Sequence, residues 1–302
     1  MAWRGLHLTR AAYLSVEHRC LRMEFRDDTP TPPFRLPLED LAYLILDTPE
    51  VSLSGRLLAE LSAANVMVLG TDEKHLPSWT SLPWTNFHAF GHILPLQIEM
   101  SQPLRKQLWL NIVQQKILGQ ASVLQTIDPS NARFLSAMTD QIRSGDPDNV
   151  EARAARSYWR ALFPGKEFIR HNDDLPNALL NYGYAIVRSA LARCLCATGF
   201  IPFLGIHHES QTNAYNLADD LIEPYRPWVD RIALRNLGDQ DFACSFTTEH
   251  RRGMAQIMEV QPMMQGEKIS MLTAIEKTVE SLKKALRDKD ASQLTFPDLL
   301  KT

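Results

Sequence analysis

Carboxylates and imidazoles hold divalent cations and move protons near neutrality, and in this chain they are unevenly spread. The segment Gly205-Ile206-His207-His208-Glu209-Ser210, followed by Leu217-Ala218-Asp219-Asp220-Leu221-Ile222-Glu223-Pro224, is the densest run of ligand-type residues. Helical spacing places Asp220 with Glu223 (i, i+3), and Asp219 with Glu223 (i, i+4), on a shared face, where like charges repel and a positive partner is expected. His208-Glu209 begins an H-E-x-x-H zinc pattern, but position 212 is Thr, which removes that signature. Neighbouring histidines also occur as plain loop or core residues. The carboxylates that follow them at the end of a helix keep a ligand role equally open.

A second acid stands apart. Asp146-Pro147 supplies an N-cap and a favoured first helical residue, starting a helix with Glu151, Ala154, Ala155, Tyr158 and Leu162 on one face. Glu151 is the single acid on an otherwise small, apolar stripe. A carboxylate held there is costly unless a cation or donor meets it; the alternative is a first-turn Glu that favours the helix dipole.

Asn177, Asn181, Tyr184 and Arg188 form a polar ladder along a long helix whose other side carries Leu179, Ile186, Ala190, Leu191 and Cys194. Arg153, Arg156, Arg160, Lys166, Arg170, Arg188 and Arg193 concentrate positive charge in the same stretch. A solvated face explains both features; the alternatives are phosphate contacts, or amides that support a nearby site. Cys194 and Cys196 cannot share an ion, because helical positions two apart diverge by about 200°; they are expected to be buried apolar residues. His88 and His92 are spaced i, i+4 but lack a third ligand.

Composition removes several classes. With 13 Gly in 302 residues and no G-x-G-x-x-G, a glycine-cradled dinucleotide site is not expected. Gly165-Lys166 fails the P-loop pattern, having Arg160 at the first Gly position and Glu167 where Ser or Thr should follow. Apolar runs such as Leu41 to Leu46 fall far short of the ~20 residues of a membrane span. The first twenty residues carry Arg4, His7, Arg10, Glu17, His18 and Arg19, so no signal-peptide core is expected and a cytoplasmic location is. A net charge of -3 gives no global pull towards nucleic acid. Any such contact must come from local patches or a partner.

The elements that would position these residues fall into two domains. In the first, residues 1–80, a two-residue period runs from Leu6 to roughly Leu69: Leu21, Met23 and Phe25 alternate with charged neighbours, and Leu41 to Asp47 and Val66 to Leu69 read as buried strands around a short helix near Gly55 to Leu61. Asp27 to Pro33 breaks the pattern with turn formers. Residues 81–96, with Pro83, Pro95 and Trp84, following Pro77 and Trp79, read as an aromatic linker. From 97 to 302 the period is 3.6, and helices are expected near 102–127, 130–143, 147–163, 177–198, 211–222 and 266–288. The fold class expected is α+β: a β-sandwich-like N-terminal domain with one short helix, then a larger all-α domain.

The segments Asn177 to Tyr184 (NALLNYGY), Gly205 to Ser210 (GIHHES) and Leu217 to Asp230 (LADDLIEPYRPWVD) together resemble the CRISPR adaptation integrases, the Cas-one family. Pro37 to Asp47 (PLEDLAYLILD), Ser52 to Leu61, Asp72 to Pro77 (DEKHLP) and Trp109 to Gln120 with Lys116 agree with it. The double His and the Asp-Leu-Ile-Glu-Pro-Tyr-Arg-Pro string look most like the type II branch. The resemblance implies metal ligands at Glu151, His208 and Glu223, Asp220 at an accessory acidic position, and Mg2+ or Mn2+ as the ion. Glu223 stands where some relatives have Asp. The implied activity is spacer acquisition in antiviral defence: metal-dependent transesterification joining the 3′-OH ends of a prespacer duplex to the CRISPR repeat array, with endonuclease and disintegrase activity. The implied partners are DNA, expected to lie along Asn177, Asn181, Tyr184, Arg188 and Arg193, a second copy paired through the β-domain, a Cas-two subunit and the type II effector nuclease, with no membrane. A stand-alone metal-dependent DNA phosphodiesterase would use the same acids, but should cut DNA without partner or repeat.

Overall fold

Alternating apolar residues build the N-terminal half. A computed structural model describes residues 4–26, 32–83 and 87–299, excluding the side chains of 87–89. Residues 27–31 of the expected turn, Trp84 of the expected linker and the His88 side chain of the His88/His92 pair lie outside the described residues. In chain order come β1 (Arg4–Leu8), β2 (Ala12–Glu17), β3 (Cys20–Phe25), β4 (Phe34–Pro37), β5 (Leu41–Leu46), β6 (Val51–Leu53), α1 (Gly55–Ala63), β7 (Met67–Thr71) and β8 (Pro77–Thr80). They form two four-stranded sheets, β1-β5-β7-β8 and β4-β3-β2-β6. β2 and β3 are joined through His18 and Arg19, both at positive φ (49° and 59°), which matches the right-handed strand twist in a tight hairpin. The Ser54 hydroxyl caps α1 by accepting the Leu57 N–H at 3.2 Å.

β5 is buried along its whole length because both of its faces are covered. Leu44 and Leu46 pack into the core between the sheets, whereas Tyr43 and Ile45 pack against the helices beyond. The molecule is thus layered sheet, sheet, helices, and the inner sheet is shared by two cores.

The second half contains α2 (Phe87–Ile98), α3 (Gln102–Leu124), α4 (Pro129–Met138), α5 (Val150–Leu162), α6 (Leu175–Thr198), α7 (Asn216–Leu221), α8 (Arg226–Leu237), α9 (Thr248–Ala255), β9 (Met263–Met264), β10 (Glu267–Lys268) and α10 (Met271–Asp288). The α+β class is as the periodicity indicates, but details differ. α2 occupies much of the expected linker despite Pro95, because buried Ile93 and Gln97 anchor it. Gln97 exchanges hydrogen bonds with the Ile201 backbone at 2.8 and 3.1 Å. α8 was hidden by Pro224 and Pro227; Pro227 lies in its first turn, where a missing N–H costs nothing. α9 is short and held by a Thr247–His250 capping box. The expected helix at 211–222 shrinks to α7, and the two-residue strands β9 and β10 precede α10, so the second domain is not wholly helical.

One charged cluster ties the layers together. Asp47, fully buried at the end of β5, accepts hydrogen bonds from Arg251 Nε of α9 at 2.7 Å, His7 Nε2 at 3.1 Å and His75 Nδ1 at 3.2 Å. Burial opposes its charge, yet His7 and Arg251 hold its carboxyl below the usual range. Among the described residues, no helix is long and apolar enough to cross a membrane.

Candidate active site

Helices α3, α5, α7 and α8, a 3-10 turn and one loop meet around the acids. α3 supplies Lys116 from a stripe otherwise formed by buried Leu108, Trp109, Ile112, Val113 and Ile117. α5 supplies Glu151 from its first turn. The Asp146 carboxylate caps that turn by accepting the Val150 and Glu151 N–H groups at 2.8 and 2.9 Å. Pro147 therefore lies before the helix rather than at its first position, which corrects the expected start. The face predicted to be small and apolar is so: Ala154, Tyr158 and Leu162 are buried beneath Glu151.

The cation that Glu151 requires is Lys116. Its Nζ lies 2.5 Å from Glu151 Oε1 and also contacts Glu223 Oε2. Glu223 opens a short 3-10 turn, Glu223–Tyr225, between α7 and α8, and its other oxygen accepts from Arg226 Nε at 2.8 Å. Burial alone would raise the Glu223 pKa; the charges and hydrogen bonds of Lys116 and Arg226 override it and hold the carboxyl at about 2. Burial likewise works against the Lys116 charge, but the two carboxylates raise its pKa above the ordinary lysine value.

The loop between α6 and α7 is organised by one buried carboxylate. Asp220 Oδ2 accepts the Ile206 N–H at 2.5 Å and the His207 N–H at 3.1 Å; Oδ1 accepts the His208 N–H at 3.1 Å and its ring Nδ1–H at 2.7 Å. Gly205 permits this wrap: a Cβ there would lie 2.3 Å from the His208 carbonyl oxygen and 2.9 Å from Asp220 Oδ2. With Nδ1 engaged, Nε2 is the ring nitrogen available to a ligand. The bond to Asp220 raises the His208 pKa above its ordinary value, with Glu223 and Asp219 adding to the effect. Trp109 of α3 stacks on His207 (4.0 Å, 6°) and meets His208 edge-on at 5.9 Å.

A second buried layer backs Glu223. Arg226 lies 4.5 Å over the Tyr184 ring, and the Tyr184 and Tyr158 hydroxyls both donate to Asp230, Tyr158 at 2.8 Å. Burial pushes the Asp230 carboxyl up to about 6, against these donors and the nearby Arg226 and Arg170. Gly183 allows α6 to approach α8 closely, since a Cβ there would be 2.5 Å from Val229.

The structure thus brings Glu151 and Glu223 onto one cation, while His208 is held by Asp220. Among the described residues no three His, Cys, Asp or Glu side chains stand in ligating geometry. Yet two carboxylates already converge on a single cation position, and two oxygens with an imidazole suit manganese well and magnesium less well. In donor chemistry, two carboxylates and an imidazole fit a divalent ion. The four donors on Asp220 make it a support for His208.

The ladder expected to meet DNA is not one surface. Asn177 is buried, accepting from Arg170 Nη1 at 2.6 Å and donating to Asp174 at 2.8 Å. Tyr184 and Arg193 are buried too; Arg193 holds the Asn65 carbonyl and pairs with Glu276 at 3.6 Å. These three face inward because α6 runs through the core and is covered on nearly every side. Asn181 is exposed and accepts from Arg170 at 2.6 Å. Arg188 is half-buried and pairs with Asp219 at 2.7 Å. Arg153, Arg156 and Arg160 do lie exposed along α5. Cys194 and Cys196 are buried, as expected. Lys116, Arg226 and Asp230 had not been singled out as site residues; a lone Lys four residues beyond Ile112 on an apolar stripe is the signal that could have found Lys116.

A protein-family model described as CRISPR associated protein Cas1 matches residues 6–257. The chain is 37% identical over 301 residues to the CRISPR-associated endonuclease Cas1 of Neisseria meningitidis serogroup C (strain 8013), covering 99% of this chain and 97% of that one. Its fold is similar to that of a casposase bound to integration product, with a TM-score of 0.76 at 19% identity over 100% of this chain and 96% of the other. It is also similar to a chain of a Cas6-RT-Cas1–Cas2 complex, with a TM-score of 0.72 at 20% identity over 97% of this chain and 36% of that chain.

Proposed function

This chain belongs to the Cas1 family of CRISPR-associated proteins, and on that premise we propose that it is the integrase of spacer acquisition, a metal-dependent enzyme that joins the 3′-OH ends of short DNA to a repeat array and can cut DNA at the same site. The observation that carries this reading is the convergence of Glu151 of α5 and Glu223 of the 3-10 turn on one cation position. Support also comes from the endonuclease name of the Neisseria relative and from the shared fold of the casposase.

Glu151, His208 and Glu223 would hold a Mg2+ or Mn2+ ion. Such an ion supplies Lewis-acid polarisation of the phosphodiester and a lowered pKa for the attacking hydroxyl. The chain's own residues provide the rest. Asp220 fixes the His208 ring so that Nε2 is the free nitrogen, and Trp109 packs against both histidines of the loop. Arg226 keeps Glu223 ionised in a buried setting, and Tyr184 and Asp230 hold Arg226 from behind. The exposed arginines of α5, with Asn181 and Arg188, offer phosphate contacts to the DNA.

A net charge of -3, with positive charge confined to local patches, suits an enzyme that grips DNA as part of an assembly. We place a second copy of the chain, paired through the β-domain, a Cas2 subunit and the type II effector nuclease in that assembly; the Cas6-RT-Cas1–Cas2 structure supports the Cas2 pairing. A strand-transfer assay tests the reading: wild type with Cas2, repeat DNA and Mn2+ should give joined product, and Glu151→Gln or Glu223→Gln should lose it while still binding duplex. Efficient cutting of plain duplex with no partner, and no joining, would favour a stand-alone phosphodiesterase instead.

A further inference from the structure

A buried carboxylate such as Glu223 is costly without a cation beside it, and Glu151, 26% exposed, shares the same cation. Glu223 is 7% exposed and Lys116 11% exposed, so water does little of that work. Arg226 takes only Oε1 of Glu223, leaving the space between Glu223 and Glu151 to Lys116. Lys116 rises from the middle of α3, and the apolar residues around it, Ile112, Val113 and Ile117, are fully buried. Its stem is fixed by packing, whereas an ammonium on four methylenes can still swing.

We propose that Lys116 is the resident cation of this centre: it bridges Glu151 and Glu223 in the metal-free protein, keeps the two acids folded together, and must give up both carboxylates before they can hold a divalent ion. This rests on the metal-site reading above and adds a function for a residue outside the ligand set. Metal uptake is then an exchange of one cation for another. The site stays assembled without metal, and its affinity is set lower than three bare ligands would give.

The test is calorimetric titration of Mn2+ into the full chain, with thermal melting in the presence and absence of Mn2+. Lys116→Met should bind Mn2+ about tenfold more tightly or better, since the ion no longer displaces an ammonium from two carboxylates. Without metal that variant should melt below wild type, and Mn2+ should close the gap. Lys116→Arg, which keeps the charge, should bind no more tightly than wild type. Should Lys116→Met fail to fold alone, folding restored by Mn2+ carries the same expected result. Lys116→Met binding no more tightly than wild type, while Glu151→Gln removes binding, overturns the proposal and leaves the metal site standing. Mn2+ affinity unchanged by Glu151→Gln overturns the metal site, and the proposal with it.

Discussion

Asp220 holds His208 twice through one oxygen: Oδ1 accepts the backbone N–H at 3.1 Å and the ring Nδ1–H at 2.7 Å. The pairing fixes both where the ring sits and which nitrogen is free. It also stabilises the protonated ring, which competes with metal.

The pH dependence follows. His208 has its pKa raised above the usual ~6.5, chiefly by the Asp220 bond. In the metal-free protein this pair adds stability that is fully present below about 6.5 and is lost as pH rises through the higher folded value. Metal binding runs the opposite way, because Nε2 must be unprotonated. Strand transfer at limiting Mn2+ should therefore fall as pH drops through a midpoint above about 6.5, and extra Mn2+ should push that midpoint down. Asp220→Asn should lower the midpoint and weaken Mn2+ binding about tenfold or more. An activity profile flat to about pH 5 would show that no histidine controls the site.

Arg188 and Arg193 should separate under charge reversal. Arg188→Glu acts on a half-exposed position and should weaken duplex binding about equally across sequences, with a shallower salt dependence. Arg193→Glu puts a carboxylate into a 4% exposed site beside Glu276 and should destabilise the fold by about 3 kcal/mol or more, read by urea unfolding. Equal stability of the two variants would show that Arg193 is not the buried tie described here.

Arg251→Ala should cost about 3 kcal/mol, because Asp47 is left charged and buried with only His7 and His75 beside it. Double substitution to Asp47→Asn and Arg251→Ala should recover part of that loss. Additive losses in a double-mutant cycle would deny the coupling.

The sequence made Glu151 legible because one acid interrupts an apolar stripe, and His208, Asp220 and Glu223 because ligand-type residues crowd one segment. Lys116 was obscure for a physical reason: a lysine on a 23-residue helix reads as surface charge unless the fold shows what faces it. Arg193 and Asn177 misled in the opposite sense. α6 is buried nearly all round, so its polar residues mark internal ties rather than a wet face. The strands followed their alternation closely, whereas α8 was hidden because a proline in a first helical turn looks, in sequence, like a break.

The most direct measurement is the position of manganese in crystals soaked in Mn2+, located by anomalous scattering at its absorption edge. A peak bonded to Glu151, Glu223 and His208 Nε2 is expected, with the Lys116 ammonium withdrawn from both carboxylates and Asp220 still bound to Nδ1. A peak bonded elsewhere, with Lys116 still bridging Glu151 and Glu223 under conditions where strand transfer proceeds, would contradict that arrangement.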